Sequence, residues 1–349
     1  MNTWRVGIPA LLVLFVGCRG DSPVQPRVEV EDDGIVLDLR SLEVRSPSNV
    51  TVLLKAETSE GEPLAGLTIN SFEILENGEP ISQFEAPRAF VPKPGKFVSR
   101  TFLVLDLSGS VTATALPELK SAAAVFVNST LPAGAPVGES EVGIWWFDGA
   151  AELHPLAPVS TNSAPLITAL DEIEAGMSGD ISTNLHGAVI EAVRLAADAA
   201  AADARQEIIS SNAVVIFTDG TDRAARRTEA ETLATVENKA GTVSVYTIGL
   251  GGEIRAESLE AIGRDGFFAA SGVDDLVGAF EKVGERIQDE ANSFYFFDYC
   301  SPKRAGEHRL TIRATQASRA GALTTTFSAN GFTGGCQAGA APNLVPVRG

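Results

Sequence analysis

The spacing of apolar and polar positions divides the chain into stretches of different rhythm. Behind Arg5, residues 6–17 form an almost continuous apolar run too short to span a bilayer, so 1–17 are expected to be a secretion signal and not part of the fold. From 35 to 84, the runs IVLDLRSLEV, NVTVLLKAET and SFEILENGEPISQF are broken by turn residues and predict strands of a small β-sandwich over 35–86. Asn77-Gly78 predicts a tight hairpin there, since both residues tolerate positive φ. Three prolines in 87–96 mark a linker.

Between Phe97 and Asn292 the rhythm changes. The apolar runs TFLVLDLS, EVGIWWFDG, NAVVIFTDG, VSVYTIGLG and GFFAAS alternate with helical patterns; in 275–289, Leu276, Phe280, Val283 and Ile287 share one helical face. The alanine run 196–202 fits the exposed end of another helix. Strands joined by helical crossovers predict an α/β fold, a doubly wound and mainly parallel sheet covered on both sides. After Asn292, the runs SFYFFDYCS, RLTIRAT and ALTTTFSANGF return to β character. That piece, 293–336, is short for a core of its own, so it is expected to pack with 35–86 and leave the α/β domain, 97–292, as an insertion. Residues 18–34 read as a tether and 337–349 as an unstructured tail.

Length and charge narrow the partners. At 349 residues the chain exceeds what one compact core usually takes, which agrees with two domains. A formal net charge of -18, with no block of Lys or Arg, argues against nucleic acid and anionic lipid headgroups and favours cations. The signal run ends Leu14-Phe15-Val16-Gly17-Cys18, which resembles a lipobox with Phe15 where Leu is usual; Cys18 is therefore expected to carry lipid and provide the sole membrane attachment. Outside the cytoplasm, the remaining Cys300 and Cys336 are expected to form a disulfide. The expected location is a bacterial cell envelope, and the outer membrane where there are two, because Arg19 stands where an inner-membrane retention signal has Asp.

Candidate chemistry sits where apolar strands end, the edge at which open parallel sheets bind ligands. The first strand closes with Asp106-Leu107-Ser108-Gly109-Ser110, a loop before a helix holds Thr183-Asn184-Leu185-His186-Gly187, and a central strand closes with Thr218-Asp219-Gly220. Hydroxyls and carboxylates are hard ligands that suit Mg²⁺, Ca²⁺ or Mn²⁺ better than Zn²⁺ or copper. Each element also has a simpler explanation: Ser108, Ser110 or Thr183 as helix caps, Asp219 as a turn former. His186 is expected at the rim, Asp222 as a solvated loop carboxylate, and at least one ring of Trp145 and Trp146 in the core.

In their order and placement, these three pieces resemble the metal-ion-dependent adhesion site of von Willebrand factor type A domains, over about Phe97 to Asn292. The resemblance implies that Ser108, Ser110 and Thr183 coordinate a divalent cation, with Mg²⁺ first in expectation. It implies that Asp106 and Asp219 coordinate the ion or hold its waters, and that a protein partner's Asp or Glu carboxylate completes the shell. The function implied is a binding or adhesion module; the alternative is a scaffold subunit of an envelope complex with a structural or regulatory metal. Catalysis has less support. A phosphatase pattern would place Asp where Ser108 stands, no G-x-S-x-G elbow or G-x-x-x-x-G-K loop occurs, and only His154, His186 and His308 could serve as bases, leaving metal-assisted hydrolysis as the remaining enzymatic option. For the anchor, Cys18→Ser is expected to release the protein from the membrane fraction or leave it unprocessed; an unlipidated wild-type protein cut elsewhere, seen by mass spectrometry, is the contrary result.

Overall fold

The computed structural model describes residues 29–81, 88–90, 97–131, 140–239, 241–252 and 254–339. The signal, Cys18 and most of the expected tether lie outside the described residues. Among those described, no helix is long and apolar enough to cross a membrane.

In chain order, the strands before the α/β part are β1 (Glu29–Asp33), β2 (Ile35–Arg45), β3 (Asn49–Thr58), β4 (Phe72–Glu76), β5 (Glu79–Pro80) and β6 (Arg88–Phe90). The α/β part comprises β7 (Phe97–Asp106), α1 (Gly109–Thr114), α2 (Leu116–Thr130), β8 (Ser140–Phe147), β9 (His154–Ser160), α3 (Ser163–Asp171), α4 (Leu185–Arg205), β10 (Ile209–Thr218), α5 (Glu229–Glu237), β11 (Val243–Leu250), α6 (Ala256–Ile262), β12 (Gly266–Ala270) and α7 (Leu276–Asn292). Strands β13 (Phe294–Cys300), β14 (Glu307–Gln316) and β15 (Arg319–Ser328) follow.

The six-stranded sheet runs β12-β11-β10-β7-β8-β9, parallel except for β9. Successive side chains of a strand point to opposite faces, and here both faces are covered. Leu103, Leu105, Val215 and Phe217 pack under α2, α3 and α7 with Leu119, Phe126, Leu166 and Phe280. Their neighbours Phe102, Val104, Val214 and Ile216 pack under α4, α5 and α6 with Val189, Val193, Val236 and Leu259. This is the expected doubly wound class. Leu276, Phe280, Val283 and Ile287 of α7 are all buried, and the alanine run lies within α4, with Ala196 and Ala200 buried. Trp146 is buried, while Trp145 is half-buried against Phe102.

Strand β9 was not among the strands expected from sequence. Pro155 and Pro158 argue against a strand, but β9 pairs on one side only, where a proline can be accommodated.

Two antiparallel sheets, β1-β15-β14-β4-β5 and β2-β3-β13-β6, face each other. Strands from both sides of the α/β part interleave in each. Between them, Ile35, Leu37, Val52 and Leu54 meet Phe72, Ile74, Leu310, Ile312 and Leu323. The hairpin at Asn77-Gly78 has φ of 55° and 87° at its two central residues.

Some boundaries differ from those expected. Glu29–Asp33 lengthen the first sheet by pairing with β15, so the tether is shorter than 18–34; this acidic stretch has no alternating pattern that would have marked a strand. Arg88–Phe90, within the proline-rich stretch, pair with β13. Gln337 and Gly339 are held as well: the Gln337 carbonyl accepts from Asn49 Nδ2 at 2.9 Å, and the Gly339 amide donates to Asp298 Oδ2 at 2.9 Å. Asp298 is fully buried and draws further donors from Asn49 and Thr51, which explains why the chain stays close there.

The sandwich mounts the α/β part firmly. Strand β3 is buried on both faces because Val52 and Leu54 point into the sandwich while Leu53 packs with Phe97, Ile209 and Phe296. Lys55 pairs with Glu290 of α7 and, at 2.7 Å, with Glu57, and the Ala56 amide donates to the Ser293 carbonyl at 2.9 Å. Arg286 pairs with Glu62 across the same junction.

The Cys300–Cys336 disulfide closes a 36-residue separation. On the chain-entropy view, a loop of that size stabilises by about 3 to 4 kcal/mol. The double variant Cys300→Ala, Cys336→Ala is therefore expected to lower the urea-unfolding free energy of the sandwich by roughly that amount. An unchanged midpoint would count against it.

Candidate functional site

At the carboxyl edge of the six-stranded sheet, β7 and β10 lie side by side with Leu105 opposite Phe217, so Asp106 and Thr218 emerge together. Asp106 has no exposed surface. Its Oδ1 accepts from the Ser108 amide at 2.8 Å and its Oδ2 from the Thr218 hydroxyl at 2.6 Å. The Ser110 hydroxyl donates to Asp219 Oδ1 at 2.9 Å and lies 3.5 Å from Ser108 Oγ. Four of the five residues singled out from sequence thus form one cluster.

Thr183 is buried in the neighbouring loop, its carbonyl accepting from the Arg223 and Ala224 amides at 2.9 and 3.0 Å. That loop also meets the first one: the Gly109 amide donates to the Ile181 carbonyl at 2.9 Å. A Cβ on Gly109 would stand 3.0 Å from Ile181 Cβ, so glycine permits the approach.

Local geometry separates this cluster from ordinary capping. Ser108 occupies the N-cap position of α1 but makes no side-chain cap bond, and the α4 cap is Asn184 rather than Thr183. Asn184 Oδ1 accepts from the Gly187 amide at 3.2 Å, and its Nδ2 donates to the Ala150 carbonyl at 2.7 Å.

Three carboxylates that sequence reasoning did not recognise as organisers hold the loops. Buried Asp148 accepts from the Ala150 amide at 2.7 Å, from Ser178 Oγ at 3.0 Å, and from the Gly179 and Asp180 amides at 3.2 Å each. Asp180 accepts from the Ser182 hydroxyl at 2.7 Å and amide at 3.1 Å, which with help from Arg226 holds its carboxyl below the usual range. Asp222, expected to be solvated, accepts from the His186 amide at 2.9 Å and the Ala225 amide at 2.7 Å; it ties the start of α4 to the β10–α5 loop. Asp148 could have drawn notice because it closes its strand as Phe-Asp-Gly, much as Asp219 follows Thr218. His186 is buried, its Nδ1 lacks a hydrogen-bond partner, and its ring lines a hollow of about 120 Å³ with Thr221, Arg255 and Ser258. Among the described residues no group of three His, Cys, Asp or Glu side chains converges.

Residues 102–281 match the family model of the von Willebrand factor type A domain. The chain belongs to that family. VWA domains are commonly adhesion and protein-interaction modules. Among solved structures, the chain is similar to a von Willebrand factor type A protein from Catenulispora acidiphila, at 13% identity and a TM-score of 0.45, covering 87% of this chain and 72% of that one. It is similar to BatB from Bacteroides thetaiotaomicron at 15% identity and a TM-score of 0.43, covering 55% and 98%. It also resembles proximal thread matrix protein 1 from the mussel byssus, whose structure is described as having a zinc-occupied MIDAS motif, at 14% identity and a TM-score of 0.45, covering 54% of this chain and 48% of that one. No curated protein matches the chain.

In this VWA domain, burial pushes the Asp106 carboxyl up to about 7, against the pull of its bonds from Thr218 and Ser108, and Asp219 adds repulsion. Its hydrogen-bond donors are neutral, so nothing among them offsets a buried charge. The folded carboxyl therefore holds a proton between the ordinary aspartate value, about 3.9, and about 7, where the unfolded one does not. Stability from this group is greatest at the acid end of that window and falls as pH rises through it, on the order of 4 kcal/mol in all. In EDTA, wild-type protein is expected to lose more unfolding free energy than Asp106→Asn between pH 5 and pH 8. Equal losses would remove Asp106 as the cause.

Proposed function

We propose that the chain is a divalent-metal-dependent protein-binding module of the bacterial cell envelope, anchored by lipid at Cys18. The observation that carries it is the cluster itself. A carboxylate buried among neutral donors faces a second carboxylate and two hydroxyls, in a setting that favours an added positive charge.

Ser108, Ser110 and Thr183 would hold the ion through their hydroxyls, while Asp106 and Asp219 would coordinate it or position its waters. The two acidic residues balance a divalent charge and the three hydroxyls add none, so Mg²⁺ suits the set, with Ca²⁺ or Mn²⁺ as relatives of the same hard class. When bound, the ion supplies an electrophilic position that accepts an Asp or Glu carboxylate from a protein partner. Without it, Asp219, joined by Asp106 as pH rises above about 7, repels such a group in a chain whose net charge is already -18. The charge of the chain disfavours nucleic acid, and the lipid would be its only hold on the membrane.

Titration with Mg²⁺ alone, followed by calorimetry, is expected to show saturable binding that Asp219→Ala abolishes and Ser110→Ala weakens, with unchanged circular dichroism in both. A pull-down from detergent-solubilised envelope is expected to recover partners that EDTA releases. Ion binding that survives Asp219→Ala, or partners indifferent to EDTA, would falsify the corresponding half of the proposal.

A further inference from the structure

Ile181 is 78% exposed, and Val159, at 38%, is the other exposed large hydrophobic side chain among the described residues. A single exposed apolar residue is ordinary on a protein surface. The way this one is held is not. On its N-terminal side, the Asp180 carbonyl accepts from the Gly149 amide at 3.0 Å and from Ser178 Oγ at 3.1 Å. On its C-terminal side, Ser182 donates twice to the Asp180 carboxylate, which also pairs with Arg226 at 3.3 Å. The Ile181 carbonyl itself accepts from Gly109, between Ser108 and Ser110. The isoleucine is thus clamped in solvent beside the polar cluster, with its backbone already ordered, which lowers the entropic cost of a contact there.

We propose that Ile181 is the apolar contact of the binding face, taking an aliphatic or aromatic side chain one or two residues from the partner's acidic residue. The assignment rests on the metal-and-carboxylate reading above. An extended segment rises roughly 3.3 Å per residue, so a carboxylate reaching the Ser108 and Ser110 hydroxyls brings a side chain one or two positions away over Ile181. Charge points the same way. In a chain with a net charge of -18, charge alone favours an acidic residue only near the ion and the Arg226 side chain, and Ile181 is the exposed apolar surface beside the cluster that the rest of such a segment would meet.

A random short-peptide library displayed on phage, panned on the full chain in Mg²⁺ and eluted with EDTA, tests the assignment. The expected peptides carry Asp or Glu with Ile, Leu, Val, Met or Phe one or two positions away. Panning on Ile181→Ser is expected to retain the acid and lose the apolar neighbour, and Ile181→Leu to retain both. A selected peptide, synthesised and measured by calorimetry, is expected to bind Ile181→Ser about tenfold more weakly than wild type, with Mg²⁺ affinity unchanged. Acidic peptides with no apolar neighbour, or with one that survives Ile181→Ser, overturn the assignment and leave the metal reading standing. Apolar peptides that lack an acid yet respond to Ile181→Ser overturn the carboxylate reading instead. Recovery of no EDTA-eluted peptide overturns both.

Discussion

The buried Asp106 carboxylate ties the end of the first parallel strand to the end of its neighbour, and the arrangement of this sheet edge follows from those two bonds. One oxygen turns the chain at the Ser108 amide, presenting Ser108 and Ser110 in sequence; the other fixes Thr218 and so sets the turn that carries Asp219. Ser110 closes the circuit by donating to Asp219. A carboxylate in that position is electrostatically costly, and its raised proton affinity expresses the cost. The fold tolerates it because the sheet register leaves Asp106 nowhere else to go: it follows Leu105, which is locked opposite Phe217 in the core.

Around this circuit, further carboxylates order the loops. Asp148, Asp180 and Asp222 accept mainly backbone amides and nearby hydroxyls, and each spans a gap between loops that the sheet alone would leave free. The carboxylates at this end of the domain therefore serve two ends, one in loop order and one in the cluster. The distinction lies in their neighbours: Asp148 and Asp222 are bonded mainly to backbone amides and Asp180 also pairs with Arg226, whereas Asp106 has neutral donors and is repelled by Asp219.

The opposite edge of the same sheet is where the sandwich grips it. Strand β13 continues almost directly from α7, and β7 begins at Phe97, whose ring lies 5.2 Å from that of Phe294. Both chain connections thus enter at one end, with Leu53 and the Lys55–Glu290 pair filling the junction, while the loops that carry the Asp106 cluster stay clear at the other end. The division leaves loop geometry around the Asp106 cluster free of the demands of mounting.

Periodicity was enough to read the α/β class, because strands buried on two faces are apolar throughout and stand out from amphipathic helices such as α7. The motif residues were legible too, since hydroxyls and carboxylates at strand ends are informative by type and order. Edge strands were harder to see. The paired backbone of β1 and β9 satisfies the sheet while acidic residues or prolines hide the pattern. What sequence alone could not decide is which strand-end carboxylate faces which partner: Asp148 and Asp219 each precede a glycine after a buried strand, yet one turns to backbone amides and the other to Ser110. Nor could it show that Ile181 stands clamped in solvent. Side-chain type and spacing are local properties, whereas orientation and exposure depend on segments far apart in the chain, and only their packing brings Gly109, Asp180 and Arg226 to one place.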